Sequence, residues 1–261
     1  MKHCFVFVIS AAVLFLSGCF GEKLSFEQLL DNAMKASVSG DWNGAKNYAS
    51  RAVKISPKHT GALLLLALSM ENTGDSEGAL GAASKAVSSN DKSYFAQYTL
   101  GRILYEKKRY DACIAPLKAA LALRPDSPDP LILLAQASIS MNNRKNAKHY
   151  YSQLAKMPAY QKNITLVADG EKRIIAVPWS ELGVILVTEK PNAAEKYLVY
   201  AYKCWPSNPR LVLNLAVYYD VHKKDAARAA QYYRRYLALT KDQPVLEEKR
   251  QEVENRLKVL Q

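Results

Sequence analysis

Cys19, in the stretch FLSGCFGEK at residues 15–23, is the residue whose setting most plainly suggests covalent chemistry. Its thiol follows the small residues Ser17 and Gly18, where the apolar run from Cys4 to Leu16 gives way to charge. Lys2 and His3 precede that run. A basic start, a short apolar core and small residues before a cut make the layout of a secretory signal. An uncleaved anchor helix is the alternative, because residues 4–20 form a run of 17, at the lower edge of the ~17–25 that span a bilayer. Elsewhere the reactive residues do not assemble. His3, His59, His149 and His222 lack partner cysteines or carboxylates at metal-binding spacing. There is no glycine-rich phosphate loop, no HExxH and no nucleophile elbow. No catalytic residue and no metal site is expected, and an enzyme is the least favoured class.

Leu16-Ser17-Gly18-Cys19 resembles the lipobox of bacterial lipoproteins. The resemblance implies that the Cys19 thiol is lipidated, that residues 1–18 are removed and that the new N-terminus is acylated. Several acyl chains anchor a protein stably where one is marginal. Cleavage without lipid is a third reading. Apart from that covalent lipid no cofactor is expected. Phe20, rather than Asp, follows the cysteine. By the sorting habit of enteric bacteria this implies the outer membrane, with the folded part facing the periplasm. Residues 19–25 are a short tether: the six steps from Cys19 to Ser25 reach at most about 21 Å when extended.

The chain has 261 residues with 36 basic and 24 acidic side chains, a net charge of +12. Loss of residues 1–18 would leave 243 residues at +11, since Lys2 is the single charge removed. In an exported protein that balance favours anionic lipid, cell-wall polymers or acidic proteins over nucleic acid.

The elements that position any binding surface are legible in a period of 34. Small residues recur at Ala33, Ala67, Gly101 and Ala135, and again at Ala45, Ala79, Cys113 and Ala147. Between the two series stand turn residues, "GD" at 40–41 and 74–75, "KR" at 108–109 and "NN" at 142–143. Each unit is therefore a helix, a tight turn, a second helix and a stop. GDWNGAKNYASRAVKISP (40–57) and RYDACIAPLKAALALRP (109–125) resemble tetratricopeptide repeats (TPRs). The resemblance implies an all-α helix-turn-helix solenoid of about six helix pairs, acting as a protein-binding scaffold. Small residues let the paired helices approach. Cys113, in such a slot, is expected to be a core thiol, and Cys204 lies too far along the array for a disulfide with it.

Four regular repeats are expected over 26–161. The register then breaks. Asp169-Gly170, flanked by β-branched residues, suggests a short hairpin in an insertion at 162–174. Two degenerate repeats follow over 175–243. The first carries Leu182, Ala194 and Ala201, and the second carries Ala216, then slips by one residue to Ala229 and Tyr236. Residues 244–261 suit a capping helix, with Val253, Leu257 and Leu260 on one face and glutamates early, arginine and lysine late. Ser25-Phe26-Glu27-Gln28 fits a capping box for the first helix.

Stacked pairs expose the outer face of each first helix. Phe95, Tyr98, Arg102 and Tyr105, spaced 3, 4 and 3 apart, share one such face. Leu68, Gln136 and Trp179, with Leu64 and Ile132, are expected to extend it into a groove for a protein or peptide. A terminal-carboxylate clamp is disfavoured, because the matching positions of the first two repeats hold Leu30, Met34, Leu64 and Leu68. The expected role is a membrane-tethered adaptor for a secretion, pilus or cell-wall complex of a bacterial envelope. The competing reading is an anionic polymer or lipid bound by Lys107, Lys108, Arg109, Arg144, Lys145 and Lys148, or by Lys223, Lys224, Arg228, Arg234 and Arg235.

Overall fold

The computed structural model describes residues 24–160 and 169–260. The signal, Cys19 and most of the tether lie outside these residues. Two compact units divide the chain at Ser89 and Asn90. The first holds two antiparallel pairs, α1 (Phe26–Val38) with α2 (Trp42–Ile55), and α3 (Thr60–Asn72) with α4 (Ser76–Ser89). The second opens with α5 (Tyr94–Glu106), α6 (Tyr110–Leu123), α7 (Pro128–Ser140) and α8 (Arg144–Lys156). It continues with α9 (Asp169–Leu186), α10 (Pro191–Cys204), α11 (Pro209–Val217), α12 (Ala226–Thr240) and α13 (Glu247–Val259). Consecutive helices of the second unit pack against one another from α5 to α13. No strand occurs among the described residues.

Local chemistry sets these boundaries at the same interval as the sequence period. First helices start after Ser25, His59 and Ser93, whose side chains each accept from a backbone N–H two or three residues into the helix. At Ser25 the capping box is complete, with the Ser25 amide donating to Gln28 Oε1 at 2.8 Å. The tight turns inside the pairs pass through left-handed backbone at Gly40, Gly74, Lys108 and Asn142. Glycine has no side-chain penalty there, whereas lysine has one. Asp41 and Asp75, next in the chain, cap α2 and α4, and Asn143 caps α8, but Arg109 provides α6 with no side-chain cap.

The small-residue slots are close contacts. A Cβ on Gly101 would lie 2.6 Å from the Leu117 side chain and 3.3 Å from its backbone nitrogen. Ala33, Ala67, Ala135, Ala45, Ala79, Cys113 and Ala147 are all fully buried.

Three features depart from the simple period. Asp169-Gly170 stands at the start of α9, which spans Asp169–Leu186, and the rest of the segment in which a hairpin was expected falls largely outside the described residues. Residues 161–168 lie outside the described residues. Ala176, Leu182, Ile185 and Leu186 are buried on α9. Second, Gly183 rather than Leu182 makes the close approach in that pair: a Cβ there would stand 2.7 Å from Leu198 Cγ. Third, α11 runs into a π-helical turn, Tyr218–His222. A π turn accommodates one extra residue, which accounts for the slip to Ala229. Val253 and Leu257 bury α13 as a capping helix.

Candidate functional site

The outer face of α5 carries the aromatic residues expected there, already ordered by their neighbours. Tyr94 and Tyr98 stack with ring centres 5.8 Å apart and planes 4° apart. The Arg124 guanidinium, just past α6, lies 4.5 Å from the Tyr94 ring centre and 4.7 Å from that of Phe95. The Tyr94 hydroxyl meets Ser127 Oγ at 2.7 Å. Phe95 nevertheless remains 54% exposed. Tyr98, Arg102 and Tyr105 are half-buried along the same helix. Burial raises the phenol pKa of Tyr98, with the nearby Asp129 carboxylate adding to it, and burial likewise raises that of Tyr105. Both phenols therefore stay protonated at neutral pH and can donate hydrogen bonds.

Beyond Tyr105 the face dips into a cavity of about 190 Å³, lined by Tyr105, Gln136, Ile139, Ser140, Tyr151, Val177, Glu181 and Arg210. Four first helices contribute to it: α5, α7, α9 and α11. Glu181 is buried and Arg210 is exposed, and their Oε1 and Nη2 atoms are 2.5 Å apart. Burial raises the Glu181 pKa, while the Arg210 charge and hydrogen bond oppose it. Asn214 donates to Ser180 Oγ at 2.8 Å, tying α11 to α9 beside the pocket.

The structure thus gathers Tyr105 and Gln136 into one pocket, next to Phe95, Tyr98 and Arg102 on α5. Leu68 belongs to the first unit, where it is exposed on α3. Trp179 does not face the groove. Its indole packs on Tyr197 and Tyr200 of α10, at centre distances of 4.9 and 5.2 Å. The one-residue shift to Gly183 turns α9 by about 100°, which carries Trp179 toward its own partner helix. Glu181, Arg210, Tyr151 and Ile139 were not expected at the site. The pairing of Glu181 with Arg210 depends on that same shift, and Gly183 was the residue that could have revealed it.

The basic face of the sixth repeat is largely engaged within the molecule. Lys223 Nζ pairs with Glu195 at 2.9 Å. Arg228 pairs with Asp225 at 2.5 Å and lies 4.3 Å from the Tyr219 ring centre. Arg235 donates to the Pro206 carbonyl at 3.1 and 3.3 Å. Lys224 and Arg234 are exposed. Of the five residues expected to form a basic face, Lys223, Arg228 and Arg235 join helices to one another and to loops. In the other basic group Lys148 pairs with Glu189, while Lys108, Arg109, Arg144 and Lys145 are exposed.

Cys113 is buried, its thiol donates to the Tyr110 carbonyl, and burial pushes its pKa up to about 11. Such a thiol is inert. Cys204 is also buried and forms no disulfide among the described residues.

The family model described as "Anaphase-promoting complex, cyclosome, subunit 3" matches residues 72–154, and one described as "Tetratricopeptide repeat" matches residues 186–244. The chain is a tetratricopeptide-repeat protein. The solved structure of pilF from Pseudomonas aeruginosa superposes on this TPR protein with a TM-score of 0.69 at 20% identity, covering 88% of this chain and 97% of that one. YrrB, described as a TPR protein with an unusual peptide-binding site, gives 0.60 at 15% identity over 75% of this chain and 93% of its own. The Cut9–Hcn1 hetero-tetramer of the APC/C gives 0.59 at 17% identity over 88% of this chain and 43% of that one. No curated protein matches. These likenesses establish the fold. TPR proteins act as protein–protein interaction scaffolds, and neither family model is a catalytic one.

Proposed function

We propose that this TPR protein is an adaptor held at a bacterial envelope by lipid on Cys19. It captures a protein or peptide partner on the face formed by α5, α7, α9 and α11, and helps assemble or localise a secretion, pilus or cell-wall complex. The observation that carries the reading is the aromatic shelf of Phe95 and Tyr98 leading into the pocket at Tyr105, Gln136 and Arg210. An exposed, pre-ordered aromatic beside a polar pocket is the composition of an interface anchor. The peptide-binding site named for YrrB supports a peptide ligand.

A photo-crosslinking residue in place of Phe95 tests the capture surface in intact cells. One dominant protein adduct is expected from that position and none from Lys145. Adducts from Lys145 alone would refute the assignment. For the anchor, Cys19→Ser should leave an unprocessed precursor without acyl chains, and normal maturation with lipid would overturn it.

The second reading, an anionic polymer or lipid, draws on exposed Lys108, Arg109, Arg144 and Lys145. Such binding would fall steeply with ionic strength, and capture on the α5 face much less.

A further inference from the structure

The pocket behind Tyr105 has a defined charge arrangement, and this points to the chemistry of what enters it. Its one carboxylate, Glu181, has a side chain only 11% exposed and is already neutralised by Arg210 at 2.5 Å. The Arg210 side chain is 68% exposed. One guanidinium nitrogen serves Glu181, and the fork retains further N–H donors. The other polar groups around the opening are the Gln136 amide and the hydroxyls of Tyr105, Ser140 and Tyr151, all of which can donate.

We infer that this pocket receives a single acidic side chain of the bound partner, Asp or Glu, with its carboxylate held by Arg210 and neighbouring donors. A volume of about 190 Å³ admits one side chain. A basic side chain would have to displace Arg210 from Glu181 and leave a cation without its counter-ion. The chain's net charge of +12 favours the same choice. The hydrogen bonds would be charge-assisted at both ends, the stronger class of such bonds. Partners are therefore selected for an acidic residue lying beside the apolar segment that covers Phe95 and Tyr98. This rests on the reading of that face as the partner surface.

The test uses the folded protein and a fluorescein-labelled decapeptide of Ser, Leu and three Glu, with counterparts carrying Gln or Lys in place of Glu. The Glu peptide should bind at least about tenfold tighter than either counterpart, and Arg210→Gln should remove that preference. Arg210→Gln leaves Glu181 buried without its ion pair, so two further variants keep the test sound. Glu181→Gln removes the competing carboxylate and should tighten binding of the Glu peptide severalfold. Glu181→Gln with Arg210→Gln should lose the preference while circular dichroism matches the parent. A preference for the Lys peptide, or weaker binding of the Glu peptide by Glu181→Gln, would overturn the inference. Unchanged acidic preference in the double variant would do the same. The wider reading is tested separately, because crosslinking from position 95 does not depend on Arg210.

Discussion

Arg256 of α13 grips Asp220 of the π-helical turn through two hydrogen bonds, Nε to Oδ2 at 2.7 Å and Nη2 to Oδ1 at 2.6 Å. Tyr233 of α12 donates to the same carboxylate at 3.0 Å. The extra residue of the π turn places Asp220 inward, where it is 5% exposed. One carboxylate thus fastens three helical segments and seats the capping helix.

Asp220→Ala should therefore destabilise the second unit by about 2–3 kcal/mol, because it strands a buried tyrosine hydroxyl and an arginine. Thermal melting measures it. The hydrogen bonds from Arg256, then that from Tyr233, hold the Asp220 pKa below the ordinary aspartate value. Its contribution is complete above that value, about 3.9, and is lost as pH falls through the lower folded pKa. The variant should accordingly lose less stability than the parent as pH falls below about 4.

Gly101 tests the packing of the repeats. Gly101→Leu should cost on the order of 1–3 kcal/mol through overpacking against Leu117, and Leu117→Ala should recover part of that loss. A melting temperature equal to the parent's would remove the basis for the close-approach slots.

The α5–α6 turn carries Lys108 in a left-handed conformation and an uncapped helix start at Arg109, where the first two repeats have Gly and Asp. Lys108→Gly should stabilise by roughly 1 kcal/mol through relief of backbone strain. Arg109→Asp should add about 1 kcal/mol by capping α6. Denaturant unfolding checks both, and a loss of stability in either would contradict the turn assignment.

Much of the fold was legible because its determinants are local or strictly periodic. The capping box at Ser25, the turns at 40, 74, 108 and 142, and the buried small residues each require only a few neighbouring positions or one constant interval. Even the slip before Ala229 was readable, although the sequence did not say that a π turn absorbs it. The α9 segment was harder. Its register depends on Gly183 meeting Leu198, a tertiary contact, so extending the period by a fixed shift misplaced Trp179 and concealed Glu181. The charge count likewise did not reveal that Lys223, Arg228 and Arg235 are already engaged. Ion pairing between helices is set by side-chain geometry that residue totals do not contain.

The central claim is that the α5 face captures the partner, and replacing both of its half-buried tyrosines tests this most directly. Tyr98→Ala with Tyr105→Ala should abolish recovery of the partner crosslinked in intact cells, while circular dichroism and melting stay near the parent's. Undiminished recovery by that folded double variant, combined with loss of binding when Lys108, Arg109, Arg144 and Lys145 are all replaced by Gln, would contradict the account and make the basic turns the working surface.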